Sequence, residues 1–165
     1  MKKILVVDNH SMMLKFMSNL LEKQGHQVLM ASDGLSALEI LKTNIPDVIF
    51  ADLIMPNIDG KKLCRIIRSI PKLKDIFLII LSAIATEEEP DLARYGADVC
   101  IAKGPFNKMA EHVLTAIEQS DLEPGQRMET KIIGREKLFK REITKELLAS
   151  RKHFEATLNN ISEGI

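Results

Sequence analysis

Few cysteines, no surplus of either charge and no long apolar run bound this chain of 165 residues before any motif is read. Cys64 and Cys100 have neither CxxC spacing nor a histidine cluster nearby, which points to reduced, packed thiols. Lys plus Arg equal Asp plus Glu at 23 each, so no global field would hold the protein on nucleic acid or on an anionic membrane. The most apolar stretch, residues 76–85, is about half as long as a membrane span and contains Ser82. The N-terminal segment meets Asp8 too early for a signal peptide. These absences lead us to expect a cytoplasmic protein, with no nucleic acid and no membrane as partners of this chain.

What is present is an alternation of two periods. Residues 4–7 are a continuous apolar, β-branched run ending in Asp8 and Asn9. The period then turns helical, with Met13, Phe16, Met17, Leu20 and Leu21 on one face, Ser11 placed as the cap and Gly25 as the stop. Residues 27–31 are a second strand, and Asp33-Gly34 opens a helix carrying Leu35, Leu38, Ile40 and Leu41. Pro46 enforces an extended entry to a third strand at 48–51, tipped by Asp52. A Pro/Asn/Asp/Gly cluster follows at 56–60, then a helix with Leu63, Ile66, Ile67 and Ile70. A fourth strand at 76–81 is tipped by Ser82. An acidic segment around Glu87-Glu88-Glu89 starts a helix that Gly96 ends, and a fifth strand at 99–102 is tipped by Lys103. A fifth helix carries Met109, Val113, Leu114 and Ile117.

Five strands alternating with five helices, most strands apolar on both faces, predict an α/β fold with a parallel sheet covered on both sides. The expected architecture is the flavodoxin-like doubly wound sheet of order 2-1-3-4-5. Its switch point lies between strands one and three, which gathers Asp8, Asn9 and Asp52 into one crevice. With Ser82 and Lys103 at neighbouring tips, the crevice holds a carboxylate, a second acid for a metal, a hydroxyl and a cation. That set suits transfer of a phosphoryl group to a carboxylate. Asp52 is the nucleophile, magnesium neutralises the incoming charge, Lys103 pairs first with Asp52 and then with a phosphoryl oxygen, and Ser82 hydrogen-bonds another. His10, at the lip, is read as an exposed loop residue, and His26, His112 and His153 as surface positions. A flavodoxin-like cofactor binder is disfavoured, because the strand-to-helix loops lack a Gly- or Ser/Thr-rich phosphate cradle.

Residues 1–120 resemble the receiver domain of two-component response regulators, the chemotaxis-regulator fold. The resemblance is carried by ILVVD at 4–8, DLIMPNIDG at 52–60, LSA at 81–83, YGAD at 95–98 and Lys103-Gly104-Pro105-Phe106. Each motif is weak alone, but five in order at these spacings are specific. The resemblance implies that Asp52 is the phospho-acceptor, that Asp8, Asn9, Asp52 and the backbone carbonyl of Ile54 hold Mg²⁺, and that Ser82 and Lys103 act on the phosphoryl group. It implies a histidine kinase or phosphotransfer protein as partner, and a receiver that is not itself a conventional enzyme. Three departures stand out. Asn9 replaces the second acid of the family, keeping an oxygen ligand but losing a charge. Gly104 splits the usual Lys-Pro pair. Cys100 occupies the aromatic switch position.

The last quarter reads differently. Residues 121–128 form a linker, and over 129–160 apolar residues including Ile132, Phe139, Ile143, Leu147, Phe154 and Leu158 recur near a seven-residue period. We expect one long amphipathic helix there, which would pair with a second copy as a homodimer. Its nine Lys/Arg against eight Asp/Glu after Ser120 disfavour a DNA-binding output. Residues 154–165 look like the cap and first strand of a PAS sensor domain, so 161–165 are expected to begin a further module, with a fragment of a hybrid histidine kinase as the alternative reading. The rival to a phospho-acceptor is a pseudo-receiver that binds a partner without phosphorylation, for which Asn9 is the argument.

Overall fold

The computed structural model describes residues 1–83, 96–127 and 132–133. Its strands are β1 (Lys3–Val7), β2 (Gln27–Ala31), β3 (Val48–Asp52), β4 (Phe77–Ser82), β5 (Val99–Ala102) and β6 (Ile132–Ile133). The described helices are α1 (Ser11–Lys23), α2 (Gly34–Leu41), α3 (Gly60–Ser69) and α4 (Phe106–Asp121), the last being the helix expected as the fifth. The helix expected to begin in the acidic segment after Thr86 lies outside the described residues. All strand pairs are parallel, and the sheet runs β2-β1-β3-β4-β5-β6. The first five strands thus take the expected 2-1-3-4-5 order.

Strand periodicity divides the core into two halves. Leu5, Val7, Ile49, Ala51, Leu78, Ile80 and Cys100 pack with Leu41, Leu63 and Ile67 on the α2 and α3 side. Ile4, Val6, Val48, Phe50, Ile79, Leu81 and Ile101 pack with Met17, Leu21, Met109 and Val113 on the α1 and α4 side. Register keeps the halves apart, since Leu5 is level with Ile49 and Ile49 with Leu78. Each fully buried aliphatic side chain contributes roughly 1.5–3 kcal/mol, so a sheet apolar on both faces holds its strand tips in fixed relation.

Local chemistry sets the helix ends. The side chains of Asp33 and Asp59 cap α2 and α3, accepting from Ser36 N at 2.7 Å and Lys62 N at 2.8 Å. Helix α1 departs from the expected cap. Ser11 is its first helical residue, the cap position is His10, and no side-chain cap bond forms.

At the far edge the structure corrects the reading of the tail. Ile132 and Ile133 form β6, parallel to β5 with Cys100 level with Ile132 and Ile101 with Ile133, where a helix from 129 was expected. Without β6, β5 would present a row of unsatisfied backbone groups, and a pair of β-branched residues is suited to cover it. Ile133 is buried against the α1 and α4 side of the core. Arg127 leads into this strand, with its guanidinium 4.9 Å from the Phe77 ring centroid and its Nε donating to the Leu122 carbonyl at 3.1 Å. The rest of the expected helix, its dimer seam and the expected PAS start lie outside the described residues.

Candidate functional site

The tips of β1, β3, β4 and β5 meet at the carboxyl edge of the sheet. Asp8 follows β1 directly and is fully buried, Asp52 ends β3 with 5% of its surface exposed, and Ser82 ends β4 with 1% exposed. Lys103 follows β5, and its backbone N–H donates to the Ser82 carbonyl at 2.8 Å. Its ammonium lies 2.9 Å from Asp8 Oδ2 and 3.2 Å from Asp52 Oδ2. The two acids and the lysine expected to share a crevice therefore do so. The shorter of the two contacts is to Asp8, which the sequence reading had not paired with Lys103.

The loop after Asp52 is folded tightly against the strand it leaves. Gly60 N–H donates to the Leu53 carbonyl at 3.0 Å, and a Cβ on Gly60 would stand 2.5 Å from the Asp52 carbonyl oxygen. Only glycine lets α3 start that close to the strand end. Asn57 takes a positive φ of 67° in the same loop, a conformation Asn tolerates better than other side-chain-bearing residues. The Ile54 N–H reaches Asp52 Oδ1 at a long 3.4 Å.

The charge in this crevice is unbalanced. Burial raises the Asp52 carboxyl above its ordinary value; Lys103 pulls it back down, and Asp8 pushes it up again. Two buried carboxylates sharing one ammonium leave a surplus of negative charge, a donor set of hard oxygens that fits a divalent cation. Among the described residues, Asp8, His10 and Asp52 offer ligand atoms that all lie within 4.8 Å of one another. Asn9 is exposed at the lip, and Ile54 is exposed just beyond Asp52.

His10, expected as an exposed loop residue, is exposed, and it also makes contacts to Asp8 that the sequence pattern does not announce. Its backbone N–H donates to Asp8 Oδ1 at 2.9 Å, and its ring Nδ1 lies 3.2 Å from the same oxygen. The available signal was its position two residues after a strand-end acid, a spacing at which a carboxylate readily accepts from the backbone. His26, read as a surface position, is half-buried and accepts from Lys2 N at 3.1 Å. Cys64 and Cys100 are free and buried, with burial first among the causes that push their thiols up to about 12 and about 11.

A parallel, doubly wound sheet with two acids, a hydroxyl and a lysine at its carboxyl edge defines a signalling protein of the chemotaxis-regulator fold. The chain belongs to the response regulator receiver domain family, whose model matches residues 4–116. It is 34% identical over 100 residues to the sensor histidine kinase RcsC of Salmonella typhimurium, an alignment covering 61% of this chain and 10% of that protein. The match thus spans about a tenth of that relative's length. Among solved structures it is similar to the chemotaxis response regulator CheY4 of Vibrio cholerae, with a TM-score of 0.67 and 27% identity over 73% of this chain and 98% of that one. It is also similar to the response regulator TrrA of Thermotoga maritima, solved in complex with Mg²⁺ and BeF, with a TM-score of 0.60 and 30% identity over 70% of this chain and 99% of that one. The protein is a receiver domain of two-component signal transduction. No helix among the described residues is long and apolar enough to cross a membrane.

Proposed function

We propose that Asp52 is the phospho-acceptor, receiving a phosphoryl group from a histidine kinase or phosphotransfer protein. The observation that carries this reading is the Lys103 ammonium, held 2.9 Å and 3.2 Å from two buried carboxylates at the strand tips. An Asp52 carboxylate oxygen attacks the phosphorus of a phosphohistidine, the P–N bond breaks as the O–P bond forms, and the imidazole leaves with a proton from solvent. Lys103 gives up part of its pairing with Asp8 and Asp52 to bind a phosphoryl oxygen, and the Ser82 hydroxyl donates to another. Mg²⁺, held by Asp8, Asp52, the Asn9 amide oxygen and the Ile54 carbonyl, would offset the negative charge brought in by the phosphoryl group.

Transfer leaves a dianionic group where a monoanion stood. Lys103 and Ser82 are drawn toward it, and because both are anchored to β4 and β5, the packing at that end of the sheet shifts between two states. With Cys100 in place of an aromatic ring, this readout runs through the backbone of β4 and β5 and not through a rotating side chain. Its recipient is the segment after α4, which we propose continues into a helix that pairs with a second copy and leads into a further module. The likeness to a sensor histidine kinase supports a donor of the histidine-kinase class. The receiver itself speeds its own phosphorylation and hydrolysis only weakly.

The test is intact-mass measurement after incubation with acetyl phosphate and Mg²⁺. A gain of about 80 Da, the mass of one PO₃ group, that disappears in Asp52→Ala is the expected result. No gain in the parent protein would instead favour a pseudo-receiver, in which Asn9 has removed the acid that makes the cation site strong enough.

A further inference from the structure

The two carboxylates divide their oxygens between two neighbourhoods. The Oδ2 atoms of Asp8 and Asp52 both face the Lys103 ammonium. The other side belongs to His10, whose backbone N–H and ring Nδ1 lie 2.9 Å and 3.2 Å from Asp8 Oδ1. A nitrogen of that ring and one oxygen from each carboxylate lie within 4.8 Å of one another, against about 4.2 Å across an octahedron with bonds of about 2.1 Å. All three would meet on one ion once the widest pair closes to that trans distance and the others to the cis distance of about 3.0 Å.

A second observation points the same way. His10 holds the cap position of α1, where a short polar side chain normally bonds the helix's first N–H groups. Here the side chain makes no cap bond, and its ring lies instead beside Asp8. Between the two, Asn9 contributes a neutral amide where the resemblance leads one to expect an acid, and it is exposed.

We propose that His10 is a metal ligand of this crevice, and that its nitrogen moves the site's preference from Mg²⁺ toward first-row transition ions, Mn²⁺ among them. The inference rests on the reading of the crevice as a divalent-cation site. Mg²⁺ binds oxygen and gains little from imidazole, whereas transition ions accept a mixed nitrogen and oxygen set. His10 thus supplies the third protein donor that Asn9 supplies only weakly. A plain imidazole–carboxylate pair is the competing account of the 3.2 Å contact, and a bound ion separates the two.

The full chain is titrated with Mn²⁺ and, separately, with Mg²⁺, and the Mn²⁺-loaded protein is studied by pulsed EPR for the ¹⁴N coupling of a bound imidazole. We expect that coupling, and Mn²⁺ bound about tenfold or more tightly than Mg²⁺. In His10→Ala the coupling should vanish and the Mn²⁺ Kd should rise about tenfold or more, with the Mg²⁺ Kd moving less than about threefold. His10→Gln, which keeps the bulk of the side chain, should behave like the alanine variant, and Asn9→Asp should tighten Mg²⁺ and narrow the preference. Mn²⁺ bound without nitrogen coupling, or a His10→Ala protein with an unchanged Mn²⁺ Kd, overturns the role of His10. In that case weakening of Mn²⁺ by Asp52→Asn would still uphold the cation site itself. Failure of the parent protein to bind Mn²⁺ at all overturns both.

Discussion

The two ends of the sheet both carry ion pairs, and they are built on opposite principles. At the amino-terminal end of β4 and β5, Arg68 spends its donors in four directions. Its Nε reaches the Gly96 carbonyl at 2.8 Å, one terminal nitrogen reaches the Lys74 and Ile76 carbonyls at 2.5 Å and 2.7 Å, and the other reaches Asp98 Oδ2 at 2.8 Å. Asp98 in turn accepts from Leu78 N at 2.9 Å, and Gly96 turns with a φ of 83° under the arginine side chain. A second guanidinium, that of Arg127, lies 4.0 Å from Asp98 Oδ1, so at that end the one anion is fully matched by cations and the planar fork of Arg68 is filled. At the carboxyl end two buried carboxylates share one ammonium. A charge-closed cluster staples α3 to β4 and β5; a charge-surplus one is poised to take up a cation.

Breaking the surplus end should have the largest effect. Lys103→Met leaves Asp8 and Asp52 buried together without their cation and should cost about 3 kcal/mol or more, read as a lower urea midpoint, and adding Asp52→Asn should recover part of the loss. Arg68→Ala at the closed end should cost about 2–3 kcal/mol, and a second change at Asp98 should recover little, because carbonyls lose their donors as well. Gly60→Ala drives a methyl group into the Asp52 carbonyl and should cost about 2 kcal/mol, with a lower Tm and weaker phosphorylation together.

The smallest effect is the most diagnostic. Above its raised value Asp52 is ionised while buried, a cost that the unfolded chain avoids; below the ordinary value of 3.8 both states are protonated and the cost disappears. Asp52→Asn should therefore raise Tm near neutral pH by a few degrees, ~2–5 °C. The gain should fade as pH falls through the raised value toward 3.8. Thermal melts of both proteins across that range check it; a gain constant with pH would mean that ionising Asp52 costs the fold nothing, and one that grows in acid that the carboxylate is net stabilised, and either would mean that the crevice has no surplus.

The same contrast explains what the sequence made legible. Runs such as Ile4 to Val7 and Phe77 to Leu81 are apolar at every position because both sheet faces are covered, and that pattern is local. Asp8, Asp52, Ser82 and Lys103 were legible for the same reason, since each follows or ends such a run. Arg68, Asp98 and Arg127 lie 29 to 59 residues apart in the chain and join only in three dimensions, so no periodicity announces them. Ile132 fits a seven-residue repeat, yet the edge of β5 claims it together with Ile133, a demand that exists only once the sheet has formed. The contact of His10 with Asp8 is not legible, because one histidine in a turn carries no pattern and the contact depends on where the Asp8 oxygens point.

Locating the phosphoryl group distinguishes the two acids of the crevice directly. After treatment with acetyl phosphate and Mg²⁺, reduction by borohydride converts an acyl phosphate to an alcohol, and peptide mapping identifies the residue changed. Conversion of Asp52 to homoserine with Asp8 intact is the expected result. Conversion at Asp8, or at no aspartate, would contradict it.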